Sequence, residues 1–141
     1  MQVLEWSRVL QFLGQHAQSA MGVVQCRSLV LSNDLAEARL RQQETTEMVS
    51  LLEGSDPMPA LTFPDIREQL IRSGKGGALE AGELRDCAVV LALMAEVARY
   101  AESHQGKLQA LAQVLEPLHI MKTLKGVLKA IEGATQSDGS M

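Results

Sequence analysis

Apolar residues recur every three to four positions through most of this chain, and this spacing restricts the possible fold more than any other feature. Trp6, Leu10 and Leu13 show it near the start, and Leu84 and Leu91 show it in the second half. An α-helix has 3.6 residues per turn, so this spacing places the apolar side chains on one helix face. No segment alternates polar and β-branched apolar residues as a half-buried strand does. The sequence therefore predicts an all-α fold.

Capping residues and helix breakers divide the chain into about six to seven predicted helices. The first covers roughly residues 4–17, and Ser19 can cap the second. Asp34, followed by Glu37 three residues later, predicts the start of a long third helix. The segment GSDPMPALTFPD (54–65) holds three of the four prolines, so it cannot be helical throughout. We expect the third helix to end where this segment begins.

The second half continues with a short helix, then a helix over about residues 80–103, and two more helices separated by Pro117. We expect a helical core over residues 1–132, with orthogonal or bundle-like packing, and a flexible polar tail over residues 133–141. The side chains expected to face the core are Leu35, Ala38, Thr45, Met48, Leu52, Ile66, Leu70, Ile71, Leu91 and Leu128.

Composition narrows the class of protein. Aromatic residues make up only 3% of a chain that is 46% hydrophobic, which suits packed helices better than a β-sandwich. The net charge of −4 argues against a free-standing nucleic-acid module held by bulk positive charge, but it allows a local basic patch. No apolar run reaches transmembrane length and the start is not a signal peptide. These features favour a cytoplasmic protein without a membrane partner.

The stretch IRSGKGGALE (71–80) raises the question of a phosphate-binding loop. Such a loop needs a Ser or Thr after its lysine and a buried strand before it. Here Lys75 is followed by Gly76, and the preceding segment is predicted to be helical. We instead expect Gly74 to end a helix in the left-handed conformation and Gly76-Gly77 to form a tight turn. The stretch therefore predicts no nucleotide site and no cofactor in this segment.

Carboxylates, histidines and cysteines supply no recognisable catalytic or metal centre. Glu44 and Glu47 share one helix side, as do Glu80 and Glu83, and we expect all four to be solvated charges because no histidine follows at ligand spacing. His16, His104 and His119 are isolated near predicted helix ends. We expect Cys26 and Cys87 to be small buried side chains without a disulfide.

Two basic groups are candidates for weak phosphate contacts. Three lysines, together with His119, share one side of the last predicted helix, and three further cations surround the glycine turn. No aromatic residue is interleaved with either group, so a solvated helix face is the alternative interpretation. The candidate residues are Lys122, Lys125 and Lys129 in the helix, and Arg67, Arg72 and Lys75 around the turn.

The order of these segments resembles the bacterial MutS-two family, the MutS paralogue that carries a C-terminal Smr nuclease domain. LEWSRVLQFLGQHAQSAMG (4–22) resembles the opening of that family, and NDLAEARLRQQETTEMVSLL (33–52) resembles its next helix. FPDIREQLIRSGKGGALEAGELRD (63–86) is the most specific match, with Asp-Ile, a helix, a glycine turn and a helix opened by Glu-Leu. IEGATQSDGSM (131–141) resembles the segment before the long coiled-coil lever. The matching patterns concern helix packing, and the equivalent part of mismatch-repair MutS has a similar plan.

The resemblance implies what the parent protein does. Family members are homodimeric ATPases and endonucleases that bind branched or distorted DNA, suppress recombination and, in some bacteria, act in ribosome rescue. Their ATP and Mg site and their Smr motif lie downstream of this segment. The resemblance therefore implies an N-terminal structural core, cut before the lever and ATPase, with no catalytic residues and with a monomeric or weakly dimeric state. The alternative is a stand-alone helical protein-interaction module.

Overall fold

The computed structural model describes the backbone of residues 3–137 and the side chains of residues 5–134. Over this range the chain forms seven α-helices, two short 3-10 turns and no strand, so the predicted all-α class is confirmed. The helices are α1 (Val3–Gly14), α2 (Ala20–Arg27), α3 (Leu35–Glu53), α4 (Arg67–Gly74), α5 (Ala81–Ser103), α6 (Ala110–Leu115) and α7 (Met121–Ser137). The 3-10 turns are Gln105–Lys107 and Glu116–Ile120.

Two of the predicted helix starts are confirmed by their capping contacts. The hydroxyl of Ser19 accepts the backbone N–H of Gly22 at 3.0 Å, and Asp34 Oδ1 accepts the N–H of Ala36 at 2.9 Å. Each contact satisfies an N–H that has no partner within its helix. At the other end of α1 the prediction was too long, since the helix ends at Gly14 and not near residue 17.

The glycine turn is confirmed, but the left-handed residue lies at a different position from the predicted one. Gly74 is the last residue of α4, and Gly76 has the positive φ of 84°. The N–H of Gly77 donates to the carbonyl of Arg72 at 2.9 Å, and the N–H of Gly76 donates to that of Ser73 at 3.0 Å. These two bonds form a Schellman motif, in which the residue after the cap takes the left-handed conformation. Gly74 is therefore the last helical residue, Lys75 is the cap, and Gly76 takes the left-handed conformation that was expected at Gly74.

The core lies where α3, α5, α6 and the proline-rich segment (residues 54–65) meet. Its buried members are Leu51, Met58, Val97, Tyr100, Leu108 and Leu111. Met58 belongs to the proline-rich segment. This segment is anchored to α5 because Tyr100 Oη donates a hydrogen bond to the carbonyl of Asp56 at 2.7 Å. Helices α1 and α2, α3 and α6, and α5 and α7 form the main packed pairs.

Several predicted inward faces are wrong. In α3 the inward line is Glu44, Glu47, Met48 and Leu51, so Leu35 and Leu52 are exposed, and so is Thr45. The face is rotated from the prediction because a carboxylate, Glu47, points towards α6. In α4 Leu70 and Ile71 are exposed because α4 packs extensively against no other described helix. Leu91 and Leu128 are half-buried.

The predicted tail is partly covered by the structure. Helix α7 continues to Ser137, so residues 133–137 are helical. Residues 138–141 lie outside the described residues. The division of the chain at residue 132 stays a prediction.

Candidate nucleic-acid interface

The three lysines of α7 lie on one side of that helix and are exposed. Lys122, Lys125 and Lys129 follow one another at spacings of three and four residues, which places them in one row along the helix. Lys122 Nζ lies 3.4 Å from Glu102 Oε1 of α5. No described carboxylate lies within ion-pair distance of Lys125 or Lys129. Among the described residues, the row therefore contains two lysines without a carboxylate partner and one that is already paired.

The first arginine near the glycine turn is held by a carboxylate. Arg67 Nε donates to Asp65 Oδ1 at 3.0 Å, and its Nη2 donates to Oδ2 at 2.7 Å. This bidentate hydrogen bond from Arg67 lowers the pKa of Asp65 to about 2 and raises the pKa of Arg67. A phosphate would have to compete with this neighbouring carboxylate for the guanidinium.

The second arginine near the turn links two helices. Arg72 Nη2 in α4 donates to Glu83 Oε2 in α5, and Glu83 Oε1 accepts the backbone N–H of Glu80 at 3.0 Å. The bond from the Glu80 backbone, followed by the one from Arg72, lowers the pKa of Glu83. The expectation that Glu80 and Glu83 are only solvated charges was wrong, because the two residues form a capping box at the N-terminus of α5. Among the three cations of this group, Lys75 alone lacks a carboxylate partner in the described part of the chain.

Glu47 in α3 accepts hydrogen bonds from three backbone N–H groups at the start of α6, whereas the sequence analysis placed it on a solvated face. Its Oε1 accepts the backbone N–H groups of Gln109 at 3.0 Å and Leu111 at 2.9 Å, and its Oε2 accepts that of Ala110 at 2.9 Å. Desolvation raises the pKa of Glu47, but the three N–H donors outweigh it and the net shift is downward. Glu47 therefore caps the start of α6 from another helix.

One sequence signal pointed to this contact without identifying Glu47. Helix α6 begins after Gln109, whose side chain makes no capping bond to the helix. A helix start that lacks Ser, Thr, Asp or Asn needs acceptors from elsewhere in the fold. Sequence alone does not say which distant residue supplies them.

The cysteines and histidines form no reactive pair. Both thiols are free, and Cys26 is only partly buried, contrary to expectation. Burial raises the pKa of Cys87, which keeps its thiol protonated and unreactive. The ring of His104 stacks on Tyr100 at 4.0 Å, and its Nε2 lies 3.2 Å from Asp56 Oδ2. In these positions His104 and Tyr100 hold the end of α5 against the proline-rich segment.

The described residues contain neither a metal-ligand cluster nor a membrane-spanning helix. No three of their His, Cys, Asp and Glu side chains are grouped so as to hold a metal ion. None of their helices combines the length and the apolar character needed to cross a membrane.

Comparison with known proteins gives curated relatives named endonuclease MutS2. The one from Symbiobacterium thermophilum is 30% identical over 121 residues, which cover 84% of this chain and 15% of the relative. The one from Geobacillus thermodenitrificans is 35% identical over 92 residues, covering 65% of the chain and 12% of the relative. The one from Geobacillus sp. strain WCH70 is 28% identical over 139 residues, covering 99% of the chain and 18% of the relative.

No protein-family model and no solved structure matches the chain. The alignments to the relatives nonetheless extend over most of the chain while covering less than a fifth of each relative. The chain is therefore a relative of the endonuclease MutS2 proteins, the family that its helical segments resemble, and it corresponds to one segment of their length.

Proposed function

We propose that this chain is a structural core segment of a MutS2-type DNA-acting enzyme and carries no catalytic residue of its own. The observation that carries the proposal is the alignment of 99% of the chain with only 18% of one MutS2 relative. In such a parent, ATP, Mg and the nuclease centre belong to other segments. The parent is a cytoplasmic homodimer that acts on branched or distorted DNA, with the ribosome as a second candidate partner.

The contacts of the candidate phosphate-binding residues support a structural role. Arg67, Arg72 and Lys122 each lie beside a carboxylate of the same chain. Arg72 and Glu47 make contacts between helices, so their charges already contribute to the fold. Contact with DNA by this segment would then rest mainly on the lysines of α7.

A salt titration of DNA binding tests this role. Each phosphate contact contributes about −0.9 to the slope of log affinity against log salt, so the three lysines give a slope of about −2 to −3. Replacing Lys122, Lys125 and Lys129 together by Gln should bring the slope close to zero. The control Arg67→Gln, which removes a guanidinium already paired with Asp65, should leave it unchanged. Submicromolar, structure-selective binding at near-physiological salt would contradict the structural role and indicate a DNA site within this segment.

An ATPase assay tests the absence of catalysis separately. Lys75 is not followed by a hydroxyl residue, and the turn around it is the end of a helix and not a strand-to-helix loop. The chain should therefore show no turnover above that of the Lys75→Ala variant. Turnover that the Lys75→Ala variant loses would contradict the proposal.

A second candidate function, a stand-alone helical interaction module, is favoured by the exposed apolar side chains. Phe12 is 65% exposed, Val30 83% and Leu31 63%, and such residues commonly mark contact surfaces. The reading frame beyond the codon for Met141 distinguishes the two candidates. A frame that continues into an ATP-binding loop and an Smr motif supports the core segment, whereas a stop codon supports the module.

A further inference from the structure

A cleft of about 280 Å³ lies between α5 and the chain that runs from α6 into α7. Its floor consists of small and aliphatic side chains, among them Ala95, Ala98, Leu115, Leu118 and Met121. Alanines on α5 leave the space open, because a longer side chain at the same positions would project into it. The floor provides an apolar surface that a ligand can cover.

The rim of the cleft is cationic. Arg99, Lys122 and Lys125 supply its positive charges, His119 also lines it, and Glu102 is the one acidic residue among its lining residues. Lys122 already compensates Glu102 at 3.4 Å. No described carboxylate pairs with Arg99 or Lys125. The rim therefore carries a local positive charge, although the chain as a whole has a net charge of −4.

We propose that this cleft binds an amphipathic monoanion, a short alkyl or aryl carboxylate. The hydrocarbon part would cover the apolar floor, and the carboxylate would meet Arg99 and Lys125 at the rim. Arg99 suits this role because a guanidinium can bind a carboxylate with two parallel hydrogen bonds. Pockets for drug-sized ligands measure roughly 300–1,000 Å³, so a cleft of about 280 Å³ suits a smaller molecule.

This ligand class differs from the DNA contact proposed above, although Lys125 takes part in both. A DNA backbone presents phosphates and sugars but no apolar group that would enter the floor of the cleft. The two proposals can therefore fail independently. Loss of DNA binding would not affect the cleft, and an empty cleft would not affect the structural role of the segment.

Amide NMR titrations with octanoate, phenylpropanoate and octylammonium test the proposal. We expect saturable binding of at least one carboxylate, with chemical shift changes grouped along α5 and α7, and affinity at least about tenfold above that for octylammonium. Octanoate and phenylpropanoate separate the two sources of this chemistry. Preference for octanoate indicates a lipid-derived acid, and preference for phenylpropanoate indicates an aromatic acid.

Variants at the rim supply matched controls. Arg99→Gln and Lys125→Gln should each weaken carboxylate binding about fivefold, the effect expected of one exposed ion pair. Lys129→Gln removes the next cation of α7, which does not line the cleft, and should leave the affinity unchanged. Ala98→Phe should abolish binding by filling the floor. If Ala98→Phe fails to fold, the variants at the exposed rim still test whether the cleft binds carboxylates.

Three results would overturn the proposal. The first is the absence of saturable binding by either carboxylate. The second is equal affinity for octylammonium, since the cationic rim would then have no effect. The third is a set of shift changes spread over exposed apolar residues elsewhere, such as Phe12 and Val30, which would indicate non-specific adsorption.

Discussion

The carboxylate of Glu47 in α3 accepts the backbone N–H of Leu111 in α6 at 2.9 Å. The same carboxylate accepts the N–H groups of Gln109 and Ala110, so one side chain satisfies three donors at the start of a helix that has no cap of its own. Gln43 supports it by donating to Glu47 Oε2 at 3.0 Å. This contact joins residues more than 60 positions apart and orients α6 on the core.

Replacing Glu47 with Ala should lower the free energy of unfolding by about 1–3 kcal/mol, because three N–H groups lose their shared acceptor. Glu47→Gln keeps one acceptor oxygen and should cost less. Urea denaturation followed by circular dichroism measures both variants. Glu53→Ala, at the exposed end of the same helix, is the matched control and should stay within about 0.5 kcal/mol of the parent chain. Equal losses for Glu47→Ala and Glu53→Ala would contradict the capping role.

Acid should weaken the same contact. The pKa of Glu47 is lowered in the folded chain, so its contribution is present above the ordinary value of 4.5 and is lost as the pH falls through the lowered value. Asp65 and Glu83 also have lowered pKa values, so the whole chain should lose stability in acid. The specific prediction compares two chains: between pH 7 and pH 3, the free energy of unfolding should fall less for Glu47→Gln than for the parent chain. Urea titrations at several pH values measure this, and identical pH profiles would argue against it.

The Asp65 carboxyl should titrate at a pKa of about 2, below its ordinary 3.8, because the Arg67 guanidinium donates to both of its oxygens. In Arg67→Gln the pKa of Asp65 should return towards the ordinary value. Carboxyl-carbon NMR during a pH titration observes Asp65 directly. Arg85→Gln removes an arginine elsewhere and should leave Asp65 unchanged, and an unmoved pKa in Arg67→Gln would show that the bidentate pair does not form in solution.

The glycine turn should respond differently at each of its positions. Gly76 has φ of 84°, so Gly76→Ala should cost about 1–2 kcal/mol. At Gly77 an added Cβ would lie 2.9 Å from the carbonyl oxygen of Arg72, and Gly77→Ala should cost about 1–3 kcal/mol by displacing that helix end. At Gly74 an added Cβ meets nothing within 4 Å, so Gly74→Ala should be neutral or stabilise by up to about 1 kcal/mol. Thermal melts of the three variants compare these costs. A cost for Gly74→Ala as large as that for Gly76→Ala would contradict the assignment of the left-handed conformation to Gly76.

The sequence predicted the features that local chemistry determines. Ser19 and Asp34 start their helices as expected, because each bonds to N–H groups only two or three residues away. The α3 face was wrong because its direction depends on Glu47, whose partners lie about 60 residues further along the chain. The basic group around α4 was recognised, but the pairing of Arg72 with Glu83, on the next helix, requires geometry that spacing does not give. The cleft between α5 and α7 is likewise a property of tertiary packing.

Leu51 should contribute strongly to the stability of the fold. It lies one residue before Leu52, which the helical periodicity predicted to face the core. Leu51 is 1% exposed and packs with Met58, Val97 and Tyr100, whereas Leu52 is 54% exposed. Leu51→Ala should therefore lower the free energy of unfolding by about 2–5 kcal/mol, because it removes buried methyl groups and leaves a cavity. Leu52→Ala deletes the same atoms from an exposed site and should change stability by less than about 1 kcal/mol. Urea denaturation of the two variants compares identical chemistry at neighbouring positions, and a larger loss for Leu52→Ala would mean that α3 presents its other face to the core.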